Sequence, residues 1–162
     1  MEPIRQLHDN FKSQSKLIIF CDGKILYDHD QKTYCFDAKD LNSLTDYSPY
    51  LSIAKDPMSN EYFYSINIEA KTNILGIFMD PAKIEFTDFR TTLSFLDPSD
   101  FQLISRASIL VNWKATNQFC SSCGKQTVFN LTEGAPDCDC LAPPRYPIIS
   151  PCIITLIHDD DR

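Results

Sequence analysis

Over the first ninety residues, apolar positions come in short runs and period-two alternations bounded by polar turn residues, so this part of the chain predicts strands. Residues 17–21 and 24–27 flank Asp22-Gly23, a dipeptide suited to the positive φ angles of a tight hairpin turn. Residues 33–36, 61–68 and 74–79 are further strand candidates, rich in aromatic and β-branched side chains. Residues 61–66 alternate in part, as a half-buried strand does. The stretch 37–60 carries Asp, Ser, Asn and Pro and is expected to be irregular, with a short helix at most.

The period then changes. Phe101, Ile104, Ala107, Leu110, Val111 and Trp113 fall mostly at helical spacing, predicting a helix over 99–116. Ser99 is expected to cap it, with Gln102 three residues on completing a capping box. Pro98 stands before the expected cap. The helix leads into Phe119 and a cysteine-rich hairpin. Ala142-Pro143-Pro144-Arg145-Tyr146-Pro147 comes next as a stiff, extended connector. Residues 151–157 read as a buried strand, followed by a polar turn. Such a strand calls for a partner and none follows before Arg162, so the chain is expected to be the front part of something longer.

At 162 residues, with 43% hydrophobic and 23% charged positions, the chain has material for one core and a small module. A net charge of −7 argues against a fold-wide basic surface for nucleic acid, and an acidic chain that binds phosphates needs a few placed arginines or a metal ion. The N-terminus lacks the apolar core of a signal peptide, and no run approaches the length of a membrane span. The seven cysteines are therefore expected to stay reduced, in a cytoplasmic setting. Cys21, Cys35 and Cys152 lie far apart and read as small buried apolar residues. His8, His29 and His158 are scattered, and none is assigned a role.

The other four cysteines form two close pairs, Cys120/Cys123 and Cys138/Cys140, with fourteen residues between the pairs. Two short thiolate knuckles on a hairpin can capture a tetrahedral Zn²⁺. In the first knuckle, two intervening residues let both sulfurs face one ion, and Gly124 relieves the turn. The second, Cys138-Asp139-Cys140, has one intervening residue, yet residues i and i+2 of an extended segment still point to one side. Asp137, Asp139 or a water can also enter the shell. An all-thiolate site is closed, so this zinc is expected to be structural: it stitches the helix end to the following strand.

Phe89-Arg90, Leu96-Asp97, Phe101-Gln102-Leu103, Ala107, Trp113, the knuckle from Phe119 to Gly124, Glu133, Cys138, Cys140 and the segment from Tyr146-Pro147 through Pro151-Cys152 together resemble the NADH pyrophosphatases of the Nudix superfamily. The resemblance covers residues from about 85 onward, with helix, ribbon and Tyr-Pro segment in the family's order; the first eighty match only in being strand-rich. It implies an α+β chain with a β-rich N-terminal domain at 1–97, a connecting helix at 98–117, a zinc ribbon at 118–145 and the first strand of a truncated Nudix domain at 146–162. It further implies a homodimeric enzyme that splits the diphosphate of NADH or NAD⁺ into nicotinamide mononucleotide and AMP with Mg²⁺ or Mn²⁺, and in bacterial members removes NAD caps from RNA. In that chemistry a metal-activated water attacks phosphorus.

Catalysis in the family depends on the Nudix box, G-x5-E-x7-R-E-U-x-E-E-x-G-U with U apolar. The 162 residues contain no such run, so the chain as it stands is expected to be inactive and no catalytic residue is assigned. Three positions carry over as substrate contacts by resemblance: Arg90 before the helix, Glu133 on the ribbon and Tyr146 before Pro147. An arginine fork suits a diphosphate or ribose, Glu133 can accept from a ribose or an amide, and Tyr146 can stack on a base or donate its hydroxyl. The chain departs from the family in its shortened second knuckle and at Ile148, where a polar or basic residue is common. The competing reading is a stand-alone zinc-ribbon binding module without enzymatic activity, with Trp113, Phe119 and Phe129 forming a protein-binding face.

Overall fold

The computed structural model describes residues 15–39, 51–68, 81–130, 132–140, 142–148 and 153–155. The first apolar run forms β1 (Ser15–Cys21), which turns through Asp22 and Gly23 into β2 (Lys24–Asp28). Cys21 pairs with Lys24, and the two turn residues take φ of 48° and 76°. The Asp-Gly dipeptide thus makes the two-residue hairpin expected of it. β3 (Phe36–Asp37), β4 (Leu51–Lys55), β5 (Tyr62–Asn67) and β6 (Ile84–Asp88) complete a six-stranded sheet. Its order is β4-β5-β1-β2-β6, with β3 also paired to β1. β1 and β5 run parallel, and the other pairs are antiparallel.

β1 is apolar without alternation because both its faces are covered. Leu17 and Ile19 enter one cluster with Leu26, Phe36, Tyr64, Ile66 and Ile84. Ile18 and Phe20 enter the other, with Ile25, Ile53, Phe63 and the inner side of a long helix. That helix, α2 (Pro98–Thr116), follows a one-turn helix α1 (Phe89–Leu93). Leu103, Ile104, Ala107 and Val111 of α2 are buried in the same cluster as Ile18 and Phe20. The helix is therefore part of the sheet's own core as well as the link to the cysteine-rich hairpin. None of the described helices is long and apolar enough to cross a membrane.

Two expectations need correcting here. The cap of α2 is Asp97, not Ser99: its Oδ1 accepts from the Ser99 and Asp100 backbone N–H groups at 2.8 and 2.9 Å. A carboxylate is a strong cap and also faces the positive helix end, and Pro98 then occupies the first helical position, where its missing N–H is harmless. Ser99 instead donates its hydroxyl to Asp97 at 2.7 Å. The second correction concerns residues 151–157. The described part, 153–155, is in no strand, and Ile153 and Ile154 are fully exposed. A strand exists only by pairing, and no described segment pairs with this one.

The stretch 37–60 also yields an element that propensity did not suggest. β4 is an edge strand held by pairing with β5 across a β-bulge between Ser52 and Ala54. The expected strand at 74–79 lies outside the described residues, as do Cys152, His8 and His158. His29 makes a surface contact with Glu85, at 2.7 Å.

The cap assignment has a measurable consequence. The Asp100 and Ser99 groups that donate to Asp97 hold its carboxyl below the usual range. A lowered pKa adds stability above the ordinary aspartate value of about 3.9, and that stability is lost as pH falls through the folded value. Asp97→Ala should lower the thermal midpoint by a few degrees at pH 7 and lose that effect near pH 2, with Ser99→Ala the milder change. Thermal melts followed by circular dichroism at both pH values check this; a larger drop for Ser99→Ala would contradict it.

Candidate metal centre and adjoining cleft

Two local devices bring the four cysteines together. In the first knuckle the Gly124 N–H donates to the Cys120 carbonyl at 2.8 Å and the Cys120 N–H to the Lys125 carbonyl at 2.7 Å. Gly124 takes φ 73°, which an L side chain adopts with strain. Phe119 pairs with Gln126 below the turn. A second hairpin, β7 (Val128–Asn130) and β8 (Ala135–Asp137), then carries the chain back to Cys138 and Cys140. Its tip is shaped by Asn130, whose Oδ1 accepts from the N–H groups of Thr132 and Glu133.

The Sγ atoms of Cys120, Cys123, Cys138 and Cys140 all lie within 4.8 Å of one another. Cys120 and Cys140 approach to 3.5 Å, as do Cys123 and Cys138. A tetrahedron with metal–sulfur arms of about 2.3 Å has edges of about 3.8 Å, so the quartet fits a zinc ion by donor type and by size. The one-residue second knuckle does not keep either sulfur out. Among the described residues no other group of His, Cys, Asp or Glu has this arrangement.

Two of the thiols are displaced in opposite directions. The backbone N–H groups of Ser122 and Cys123 point at the Cys120 sulfur and bring its pKa down to about 6. The Cys140 backbone N–H pulls Cys138 down too, but the Cys123 sulfur and desolvation outweigh it and push that thiol up to about 12. A divalent cation favours the thiolate form of the cysteines that ligate it. Elsewhere, desolvation raises the Cys21 thiol and pushes Cys35 up to about 12. Both pack at the margins of the core, as unreactive thiols do.

The ribbon is fastened to α2. Trp113 donates its indole N–H to the Arg145 carbonyl at 3.0 Å and meets Phe129 edge-on, with ring centroids 6.1 Å apart. The Lys114 ammonium also lies over the Phe129 ring, 5.7 Å from its centroid. The Asn117 carbonyl at the helix end accepts from Thr127 Oγ1 at 2.8 Å. Trp113 is thus buried in the seam. It cannot belong to an exposed face with Phe119, which is well exposed.

An open cleft of about 190 Å³ runs along this seam. Glu133 from the ribbon tip and Tyr146 from the connector both line it, and the Tyr146 hydroxyl donates to Glu133 Oε2 at 2.7 Å. Trp113 and Phe129 supply its aromatic wall. Two of the three residues singled out as substrate contacts therefore meet. Arg90 does not line the cleft: it is exposed on α1. Sequence reasoning missed Arg106, which lines the cleft from α2. Its signal is the i, i+4, i+7 series Arg106, Leu110, Trp113, a second face of the helix beside the buried one.

No family model matches the chain. Comparison with curated proteins finds relatives. The chain is 34% identical over 80 residues to the mitochondrial NAD(P)H pyrophosphatase of Homo sapiens, covering 49% of this chain and 23% of that protein. It is 35% identical over 77 residues to the NAD-capped RNA hydrolase of Photobacterium profundum, covering 46% of this chain and 29% of the relative. The corresponding enzyme of Klebsiella pneumoniae is 37% identical over 65 residues, 40% of this chain and 25% of the relative. The chain thus spans less than a third of the length of these relatives. Residue pattern, cysteine cluster and relatives agree in supporting a likeness, over about half of the chain, to the N-terminal region of Nudix-family NADH pyrophosphatases.

Proposed function

We propose that this chain supplies the ribbon and substrate-facing portion of a hydrolase that splits the diphosphate of NADH or NAD⁺ into nicotinamide mononucleotide and AMP, with NAD-capped RNA as a further substrate. The observation that carries the reading is the meeting of Glu133 and Tyr146 in one aromatic-walled cleft beside the cysteine quartet. Relatives named for hydrolysis of NAD(P)H and of NAD-capped RNA support it. In this reading the chain divides into a β-rich unit at 1–97, the helix at 98–117, the ribbon at 118–145 and the beginning of a Nudix domain at 146–162. The assembled enzyme is a cytoplasmic homodimer.

Cys120, Cys123, Cys138 and Cys140 hold a structural Zn²⁺, whose work is to fix the ribbon against α2. The Tyr146 hydroxyl orients the Glu133 carboxylate, whose remaining lone pairs accept from an amide or a ribose hydroxyl of the substrate. Trp113 and Phe129 exclude water from the wall on which a base lies. Arg90, on a separate surface, enters the reading through the family resemblance alone. Mg²⁺ or Mn²⁺ supplies an activated water and charge neutralisation in this class of reaction. The 162 residues have no Nudix box, and the described residues have no carboxylate cluster to hold such ions.

The test is binding and hydrolysis measured on the same protein. Calorimetric titration with NAD⁺ should show saturable binding to the 162-residue chain, weakened about tenfold by Glu133→Gln through loss of a charged acceptor. NADH with Mg²⁺ should release no AMP from this chain. Wild-type binding that is absent at millimolar NAD⁺, or unchanged in Glu133→Gln, would contradict the reading.

A further inference from the structure

One basic residue of the cleft, Arg106, is anchored to buried backbone. Arg106 stands on α2 where the helix crosses the edge strand β4. Its Nε donates to the Ile53 carbonyl at 2.9 Å. Ile53 is the extra residue of the β-bulge: Ser52 pairs with Tyr64 and Ala54 with Phe63, leaving Ile53 outside the register. A bulge leaves its inserted residue unpaired, and Ile53 is wholly buried. Its carbonyl therefore finds a partner in the arginine.

The same bond fixes the guanidinium. With Nε held by buried backbone, the plane of the fork is set before any ligand arrives, and the Nη groups remain to donate. Pre-setting a long side chain in this way removes much of the ordering penalty of binding. Arg106 is also the only basic residue lining the cleft among the described residues. The chain as a whole carries −7 and Glu133 adds a local negative charge, so an anion entering here needs a fixed cation close by.

The ligand must fit in chemistry and in size. An aromatic wall takes a planar ring, a carboxylate takes an N–H or hydroxyl donor, and a guanidinium fork takes a phosphate. The cleft is open and of about 190 Å³, room for a base and its neighbouring phosphate without enclosing a whole dinucleotide. We propose that Arg106 is a specificity-determining residue that anchors the phosphate of a 5′-nucleotide whose base lies in the Trp113–Phe129 cleft. This rests on the nucleotide reading of the cleft given above. Either half of NAD carries the required chemistry, a planar ring bearing an amide or amine next to a phosphate.

Trp113 is the only tryptophan in the chain, so its fluorescence reports the cleft directly. Two ligand pairs separate the halves: nicotinamide mononucleotide against nicotinamide riboside, and AMP against adenosine. In one pair the phosphorylated member should bind about tenfold more tightly to the wild-type chain. Arg106→Gln, which keeps an N–H for Ile53 but no charge, should close that gap while leaving nucleoside binding in place. Arg106→Lys should restore part of it. Inorganic diphosphate should compete with the mononucleotide in wild type only.

A gap of wild-type size in Arg106→Gln overturns the proposal. So does equal binding of mononucleotide and nucleoside by wild type in both pairs, a result that needs no variant to fold and leaves the cleft's base recognition standing. Failure of all four ligands to alter Trp113 emission overturns the nucleotide reading of the cleft as well.

Discussion

Chelation of the ribbon metal, or Cys138→Ser, is expected to unfold the segment from residue 118 to the connector while the six-stranded sheet stays folded. β7 and β8 are three residues each and form a sheet of two strands, and an isolated two-stranded hairpin is marginal in water. Among the ribbon's described residues, few apolar side chains are buried: Ala135 is fully covered, whereas Val128 and Phe119 face solvent. With zinc bound as proposed, the folding free energy of such a unit comes from the metal. The sheet has its own two-sided core with α2 and needs no ion. Trp113 stands at the boundary, its indole bonded to Arg145 and packed on Phe129. Its emission should shift to the red as the ribbon detaches, and amide protection should vanish from the ribbon but persist in β1 and β5. Loss of protection throughout, or in neither part, would contradict this division. Acidification should release the metal in the same way, since protons compete for the thiolates.

The second large effect lies in the core. Ile104 is 1% exposed and belongs to the cluster that joins α2 to Ile18, Phe20, Ile53 and Phe63. Ile104→Ala removes apolar contact and leaves a cavity between two rigid elements, a change that costs about 2–5 kcal/mol. Ile109 lies on the same helix but is 41% exposed, and Ile109→Ala should fall within about 0.5 kcal/mol of wild type. Urea denaturation followed by circular dichroism distinguishes them. Equal losses for the two variants would mean that α2 does not dock on the sheet by the face described.

Features set by local chemistry were legible in the sequence. Asp22-Gly23 specified its hairpin because only a tight turn suits that pair, and the cysteine spacing specified the ribbon because two short knuckles suit little else. The helix followed from its period, though its cap was misplaced: Ser99 and Asp97 are both good caps, and the Pro98 between them fits the first helical position better than the position before a cap. Features set by partners were not legible. β4 is a strand because β5 offers it a ladder, across a bulge that no local pattern marks. Residues 153–155 are apolar enough for a strand, yet no described segment pairs with them. In the site, Glu133 and Tyr146 could be named by resemblance, but their 2.7 Å contact depends on how the connector folds back over the ribbon tip. Arg106 shares a helix face with Leu110 and Trp113, but that spacing alone did not single it out, because its anchorage depends on the bulge carbonyl of Ile53.

The account rests on one zinc ion held by four sulfurs at the junction of α2 and the ribbon. X-ray absorption at the zinc edge, on protein purified without chelator and assayed for metal content, tests it most directly. One zinc per chain with a shell of four sulfurs at about 2.3 Å is the expected result. Substoichiometric zinc, or a shell in which oxygen or nitrogen replaces the sulfur of Cys138 or Cys140, would contradict it.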